Sequence, residues 1–308
     1  MSPTHKGAPP RAAGSTMLAA VLLLIAALAW AGNYIVGRAI AGDVPPGGLA
    51  VGRWLFALIA LLPFGWPHLK RDWPVVASRR AYMVVMGITG GAMFGTLQYG
   101  GLQFTTATNG GLIGATSPVM IALAGAIMFG DRLSRWQWIG LALSLAGAVT
   151  IAARGDAANL AGLRFNIGDL MIFSTLVAWA VYSALLRRRP PVHWTTFTMT
   201  VFAVALLGNL PVVAIEYALG IPLRLTWPAV GAALYTGIFS SVIGFVAWNR
   251  GVEVLGSQRA GLFLNLIPLM TVVLAWLLLG ERLEVYHGLG CIFVFSGLWL
   301  TMRSAVAR

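Results

Sequence analysis

Long apolar stretches separated by short polar segments run along almost the whole chain. A helix needs about 20 mostly apolar residues to cross the hydrocarbon core of a bilayer. The pattern therefore predicts ten membrane-spanning helices, several with tryptophans at their ends, as is typical of membrane interfaces. The predicted spans cover residues 17–38, 48–66, 80–99, 106–129, 136–153, 168–186, 194–215, 229–248, 258–279 and 286–302.

The first segment has two interpretations. Lys6 and Arg11, followed by an apolar run and small residues near Ala29, imitate a cleavable signal peptide. The apolar run continues well past Ala29, and removing it would leave an odd number of spans. We therefore predict that residues 1–16 are a disordered tail and that the apolar run is the first membrane helix.

The composition excludes a soluble protein. Residues of the types AVILMFWYC make up 58% of the 308, charged residues only 10%, and the mean hydropathy is +0.82. A soluble domain carries about 25% charged residues. The net charge of +12 does not indicate nucleic-acid binding, because no stretch is long enough to form a solvated basic domain.

Neither a metal site nor a cofactor is predicted. Cys291 is the single cysteine, so an intrachain disulfide is impossible. His5, His68, His193 and His287 fall in polar tails or connections and are interpreted as interfacial side chains. The sequence contains no HExxH motif, phosphate-binding loop or nucleophile elbow.

The distribution of positive charge predicts the orientation. With the amino terminus in the cytoplasm, the cytoplasmic segments hold 15 of the 21 Lys and Arg residues and three of the nine acids. Cytoplasmic segments of membrane proteins are enriched in Lys and Arg. Both termini are therefore predicted to be cytoplasmic, in the inner (plasma) membrane.

The two halves of the chain repeat each other at a shift of 150 residues. The matches include glycines, a proline and a charged tetrapeptide in one register. They are Gly111 with Gly261, Pro118 with Pro268, residues 130–133 (GDRL) with 280–283 (GERL), Gly140 with Gly290, and Gly147 with Gly297. Each half has five spans, an odd number, so the second half must enter the membrane from the opposite side.

This twofold pattern of a span with a central proline, a Gly-Asp/Glu-Arg-Leu turn and a glycine-containing span resembles the drug/metabolite transporter superfamily, and most closely its ten-helix EamA-type branch. The resemblance implies an all-α membrane protein with two inverted five-helix repeats around a central cavity, which exports small metabolites. Bacterial aromatic amino-acid exporters of this branch are similar in size and in their aromatic and amide residues. The predicted domains are the repeats 17–154 and 168–303, the connection 155–167 and a cytoplasmic tail 304–308.

Polar and aromatic residues within the spans are the candidate substrate-binding groups, because lipid offers a polar side chain no partner. Amide, hydroxyl and aromatic groups from both halves suit a ligand with polar ends and an apolar body. Each residue alone has a structural alternative, a helix–helix hydrogen bond or a packed ring. The candidates are Trp30, Asn33, Tyr34, Gln98, Tyr99, Asn109, Trp179, Tyr182, Tyr235, Phe239, Ser240 and Asn265.

Glycines and prolines indicate close packing and kinks. Gly87, Gly91 and Gly95 lie at spacing four, which favours close helix packing inside a monomer; a dimer face or a moving interface is the alternative. Pro118 and Pro268 lie within spans, where each removes a backbone hydrogen bond. They are interpreted as kinks, or alternatively as flexing points for alternating access.

Charged residues near the centre of a span are missing from the pattern. Arg38, Arg53, Asp169 and Glu216 lie toward span ends. This favours net-neutral cargo and facilitated or weakly coupled transport, with coupling through a carboxylate near a span end as the alternative.

The sequence thus predicts a secondary transporter that exports amino acids, including aromatic ones, by alternating access. Its predicted partners are a small-molecule substrate and the lipid bilayer, with no nucleic acid. The alternatives are an exporter of hydrophobic or cationic drugs, a membrane-embedded transferase, for which no convergent titratable groups are seen, and a non-transporting receptor or scaffold.

Overall fold

The computed structural model describes residues 13–156, 166–221, 223–255 and 263–306, and within these ranges the chain is helical with no β-strand. Most of the predicted disordered segment 1–16 and of the predicted connection 155–167 lies outside the described residues. The same holds for the end of the tail 304–308 and the start of the predicted span 258–279.

Helices of the first half correspond to the first five predicted spans. They are α1 (Ala13–Ala39), α2 (Pro46–Ser78), α3 (Arg80–Gly87), a π-helical segment (Ile88–Ala92), α4 (Met93–Gly101), α5 (Ala107–Gly114), α6 (Ser117–Phe129) and α7 (Arg135–Ala152). Helices of the second half correspond to the other five. They are α8 (Ile167–Leu185) with a 3-10 turn (Leu186–Arg188), α9 (Trp194–Ala218), α10 (Trp227–Leu234), a π-helical segment (Tyr235–Ile243), α11 (Gly244–Leu255), α12 (Leu266–Leu274), a π-helical segment (Ala275–Leu279) and α13 (Val285–Val306).

The helices are built for a lipid environment. Among the described residues, five continuous helical stretches are long and apolar enough to cross a membrane, and the pair α5–α6, bent by 42°, adds a sixth if it counts as one span. Large apolar side chains cover the outside of the bundle; Phe64, Ile127 and Leu207 are 72%, 75% and 62% exposed. Contiguous apolar exposure is typical of a surface that contacts lipid.

The second helix is longer than predicted. The predicted end at residue 66 is wrong, because α2 continues through Pro67 and Pro74 to Ser78. Packing holds this extension in place: Asp72 Oδ2 accepts hydrogen bonds from the His193 backbone N–H at 2.8 Å and from the Thr196 hydroxyl at 3.0 Å. Tertiary contacts therefore outweigh the helix-breaking tendency of proline here.

Helices α2 and α9 cap each other at opposite ends. Near the end of α9, Glu216 accepts hydrogen bonds from the backbone N–H groups of Gly47 at 2.7 Å and Gly48 at 3.3 Å, at the start of α2. Near the end of α2, Asp72 makes the corresponding contacts with the start of α9. The unpaired N–H groups of a first helical turn carry partial positive charge, so each carboxylate stabilises a helix terminus.

The repeat is visible in the turns between helices. Gly130 and Gly280 end their helical stretches in the left-handed region, with φ of 71° and 66°. The following residue, Asp131 or Glu281, donates its backbone N–H to the carbonyl six positions earlier. Glycine adopts this conformation without a steric cost, which explains its presence in both copies.

Helices α7 and α13, the last of each half, cross in close contact. A side chain on Gly147 would lie 2.8 Å from the Gly290 carbonyl oxygen, and one on Gly297 would meet the Gly140 carbonyl. Glycine is required at this crossing because the two backbones touch. Since the positions exchange under the 150-residue shift, this crossing relates the two halves.

Candidate functional site

A buried arginine lies where α1, α2, α4 and the π-helical segment Tyr235–Ile243 meet. Arg53 is 3% exposed; its Nε donates to Ser241 Oγ at 2.7 Å and its Nη1 to Tyr99 Oη at 3.1 Å. Tyr99 in turn donates to Asn33 Oδ1 at 2.8 Å. Together with Ser240, these residues form what we call the central polar cluster.

The charge of Arg53 is met by neutral groups. Within the described residues Arg53 forms no ion pair. Its place seven positions after the start of α2 agrees with a location toward a span end. The long side chain nevertheless reaches into the bundle and is buried there. A buried cation without a carboxylate partner is costly and marks a candidate anion-binding site.

The π-helical segment Tyr235–Ile243 joins this cluster to α1. Trp30 Nε1 donates to the Ser240 carbonyl at 2.9 Å, and Ser240 Oγ donates to the Ala29 carbonyl at 2.9 Å. A π-helical turn shifts backbone groups out of the usual hydrogen-bond pattern and often occurs at functional sites. Here it presents a serine hydroxyl and a carbonyl to the same neighbouring helix.

An aromatic cluster adjoins the central polar cluster. Neighbouring ring centroids lie 5.0 to 6.3 Å apart, a range that favours tilted and edge-to-face pairs. The aromatic cluster consists of Trp30, Phe94, Trp179, Tyr182, Phe245 and Trp248. Phe202 connects Phe245 to Trp54, and the Arg53 Cζ lies 4.5 Å from the centroid of the Trp54 ring. A cationic group and an aromatic surface are therefore contiguous.

Two further buried side chains carry unused hydrogen-bonding groups. Among the described residues, Gln98 Nε2, Gln98 Oε1 and Trp54 Nε1 have no hydrogen-bond partner. Both residues are 1% exposed, and they neighbour Tyr99 and Arg53 in the chain. Because buried polar groups are nearly always satisfied, these atoms are candidates for contact with a ligand or water.

Several predicted residues are not members of the central polar cluster. Tyr34 packs against α5 at Gly110 and Gly114. Tyr235 stacks on Phe239 at 5.4 Å, and the Phe239 side chain is half exposed. Asn265 lies at the amino terminus of α12 and forms no side-chain cap with it. No binding role follows from these positions.

Asn109 belongs to a different group, which we call the terminal polar cluster: Thr105, Asn109, Asp169, Glu281 and His287. His287 Nε2 lies 2.9 Å from Asn109 Oδ1, and Asn109 Nδ2 donates to Asp169 Oδ2 at 3.4 Å. His287 is 5% and Asp169 1% exposed. His287 lies at the start of α13, which begins at Val285, and its ring contacts Asn109 of α5 inside the bundle.

The predicted packing glycines lie at helix–helix contacts, and the two predicted kink prolines lie near helix starts. Gly87 and Gly91 pack against Val204 and Ala205 of α9, whereas Gly95 faces Trp54. Pro118 is the second residue of α6 and Pro268 the third of α12, each directly after an interruption of the helical path. The proline sites are therefore helix breaks repeated in both halves.

Sequence reasoning missed Arg53, Asp169, His287 and Phe245 as site residues. A cation seven positions inside an apolar stretch was a usable signal for Arg53, and an acid three residues into a span was one for Asp169. Phe245 shows no signal, since apolar spans contain many phenylalanines.

A helical membrane bundle of two repeats that encloses buried polar groups is an architecture found in many transporters. The sequence profile described as the EamA-like transporter family matches residues 17–153 and again 166–303. The chain belongs to this family.

Relatives support this assignment. The chain is 30% identical over 224 residues to the "Uncharacterized transporter YyaM" of Bacillus subtilis, covering 70% of each chain. An uncharacterized transporter of Archaeoglobus fulgidus is 28% identical, covering 91% of this chain and 96% of that one. The "Probable terminal-alkyne amino-acid exporter" of Streptantibioticus cattleyicolor is 26% identical, covering 93% and 94%. A solved crystal structure with 21% identity shares the fold, with a TM-score of 0.59 over 94% of this chain and 97% of that chain.

Proposed function

We propose that the protein exports zwitterionic amino acids, including aromatic ones, across the inner (plasma) membrane. The observation that carries the proposal is Arg53, a buried guanidinium without an ion pair among the described residues, next to an aromatic cluster. A carboxylate would supply the missing counter-charge. An arginine binds a carboxylate through paired N–H donors.

The other groups fit the rest of such a substrate. Asn33 and Gln98 carry amide oxygens that suit an ammonium group. Rings of the aromatic cluster suit an apolar or aromatic side chain. The relative named a probable amino-acid exporter, which matches nearly the whole chain, supports the same substrate class.

Counterflow in proteoliposomes tests the proposal. Vesicles loaded with unlabelled amino acid take up labelled tryptophan, phenylalanine or leucine through the wild-type protein. Amino-acid amides, which lack the carboxylate, compete poorly. The variant Arg53→Gln loses this preference, and its affinity for the free amino acid falls about tenfold or more, since a hydrogen bond to a charged group contributes about 1.5–3 kcal/mol.

The matched control is Arg79→Gln, which removes an exposed arginine just after α2. Its counterflow and its preference for the carboxylate equal those of the wild type. Absence of counterflow with every amino acid would refute the substrate class, and wild-type selectivity in Arg53→Gln would refute the role of Arg53.

An exporter of hydrophobic or cationic drugs is the competing candidate of the same fold. The aromatic cluster suits such compounds, but the positive charge of Arg53 repels a cation. Inhibition of counterflow by lipophilic cations at lower concentrations than by amino acids would favour this candidate.

Both termini are proposed to be cytoplasmic, from the excess of Lys and Arg in the segments assigned to that side. Alternating access is proposed to rock one repeat against the other, as in other inverted-repeat transporters. Labelling of single cysteines from outside intact cells checks the orientation: the turn after Gly280 reacts and the turn after Gly130 does not.

A further inference from the structure

The terminal polar cluster brings a buried carboxylate and a buried imidazole together at one end of the bundle. α5, α8 and α13 all begin there. The central polar cluster does not use these groups. The charge distribution predicts that this end is extracytoplasmic.

The hydrogen bonds within this cluster run in one direction. The Glu284 backbone N–H donates to His287 Nδ1 at 2.8 Å, so Nδ1 carries no proton and Nε2 is the donor to Asn109 Oδ1. Asn109 Nδ2 then donates to Asp169 Oδ2. Thr105 Oγ1 donates to Asp169 Oδ1 at 2.5 Å. This arrangement matches a neutral His287 and an ionised Asp169.

Adding a proton to Asp169 Oδ2 or to His287 Nδ1 breaks a hydrogen bond of this chain. A proton on Asp169 Oδ2 would face the Asn109 amide N–H, so that two donors oppose each other. Rotation of the Asn109 amide would only move the conflict to His287 Nε2–H. A proton on His287 Nδ1 would face the Glu284 N–H, and the start of α13 would lose its cap.

Further hydrogen bonds tie helix termini together at this end of the bundle. Glu281 accepts from the backbone N–H groups of Ala107 at 2.8 Å and Thr108 at 2.9 Å, which ties the turn before α13 to the start of α5. Asp169 ties α8 to the same region through Thr105. Weakening these contacts releases three helix termini from one another.

A cavity open to the surroundings of the bundle reaches the cluster. A cavity of about 310 Å³ is lined by Thr105, Asn109 and His287 together with charged groups of the surrounding elements. The charged and titratable groups are Arg38 of α1, Arg154 after α7, Glu281, Arg282 and Glu284 of the preceding turn, and Tyr286 of α13. Protons from solution therefore have a route to His287 and to Thr105 and Asn109, the hydrogen-bond partners of Asp169.

We infer that Asp169 and His287 form a proton-binding site whose occupation opens this end of the transporter. A proton from the aqueous phase adds to Asp169 Oδ2 or to His287 Nδ1, the hydrogen-bond chain breaks, and the exit for the substrate opens. Loss of the proton restores the chain. The inference rests on the proposed function, because it assumes that an exported substrate is released at this end. The closure of this end can nevertheless be measured without substrate.

Hydrogen–deuterium exchange tests the closure directly. After correction for the intrinsic pH dependence of exchange, residues 105–109 of the wild type lose protection between pH 7.5 and pH 5.5, whereas α11 (Gly244–Leu255) does not change. In Asp169→Asn, residues 105–109 exchange rapidly at both pH values. His287→Gln, which keeps a donor and an acceptor without titrating, is protected at pH 7.5 and shows a smaller loss at pH 5.5. Asp43→Asn, an exposed acid predicted at the same end, behaves as the wild type.

Efflux of a preloaded amino acid is the functional readout. Lowering the external pH from 7.5 to 5.5 speeds wild-type efflux several-fold, and Asp169→Asn removes this dependence. Equal protection of residues 105–109 at both pH values in the wild type, or an unchanged pH response in Asp169→Asn, would overturn the proton site. If hydrogen–deuterium exchange depends on pH as expected but no amino acid shows counterflow, the proposed substrate class is overturned and the proton site is not.

Discussion

Ser144 donates a hydrogen bond to the carbonyl of Val294, 3.4 Å away, and the two residues occupy the same position in the two repeats, 150 residues apart. Contact between equivalent positions occurs only on the axis that relates the halves. The axis therefore passes through the crossing of α7 and α13. Gly140, Gly147, Gly290 and Gly297 surround this point with close backbone contacts.

Substitution at the crossing is expected to destabilise the protein. In Gly147→Leu the new side chain meets Val294 and the Gly290 carbonyl, and overpacking of this kind costs about 1–3 kcal/mol. Thermal unfolding in detergent measures the loss. Gly288→Leu, in the crossing partner α13, is the control, because no atom lies within 4 Å of a side chain added there. Equal stability of both variants would contradict the tight crossing.

The carboxylate cap on α2 is expected to stabilise the pairing of α2 with α9. Glu216→Gln keeps the size of the side chain but removes the charge that faces the N–H groups of Gly47 and Gly48. The expected loss is about 0.3–2 kcal/mol, the range for a charge at a helix terminus. Chemical unfolding in detergent measures it, with Asp43→Asn as the exposed control. An undiminished unfolding free energy would show that the amide caps equally well.

Acidification is expected to weaken the contact between the end of α2 and the start of α9, where His68 and His193 lie. His68 and His193 stack with their ring centroids 3.7 Å apart, and burial, together with the charge of His68, lowers the pKa of His193. The unfolded chain binds the proton at about pH 6.5, before the folded chain does. Stability contributed by neutral His193 is therefore present above that pH and is lost as the pH falls toward the lowered pKa.

Thermal unfolding between pH 7.5 and pH 5.5 measures this effect. His193→Asn retains a side-chain acceptor for the first turn of α9 without titrating. Its unfolding temperature should depend less on pH than that of the wild type. A steeper dependence in the variant would contradict the assignment to His193.

Replacement of Gln98 by an apolar residue is expected to raise the stability of the protein and to lower its transport activity. Its amide is buried without a partner among the described residues, and an unsatisfied buried polar group costs about 1–3 kcal/mol. Gln98→Leu should therefore raise the unfolding temperature in the absence of substrate and slow counterflow. Gln103→Leu, whose amide bonds the chain at Gly42 and Val44, should lower stability instead. A destabilised Gln98→Leu would indicate a bound water at this position.

The repeat made much of the architecture predictable. A glycine followed by an acid, in the same register in both halves, located the turns at Gly130 and Gly280. The prolines located the breaks at Pro118 and Pro268. Glycine and proline each favour a particular local backbone conformation, so their positions are informative. The length of α2 was not predictable. Its prolines signal an end, and only contacts of Asp72 with α9 explain why the helix continues.

The candidate site was only partly predictable for a related reason. The pair of Asn33 and Tyr99 was anticipated as polar groups at depth, and the structure joins them by a hydrogen bond. The groups that the Arg53 side chain contacts depend on which helices pack against α2. The burial of His287 depends on Asn109, a residue 178 positions away. Local sequence patterns carry no information on such long-range pairing.

The turns at Gly130 and Gly280 place an acid at the same point of each repeat, yet the two acids have different partners. Asp131 meets the partly exposed Arg187 at 2.5 Å, and this guanidinium holds the pKa of Asp131 below its ordinary value. Glu281 instead binds backbone N–H groups. Dissolved ions screen an exposed pair of side chains much more than a partly buried backbone contact. A rise in ionic strength is thus expected to weaken the Asp131–Arg187 contact at one end of the transporter more than the Glu281 contacts at the other end.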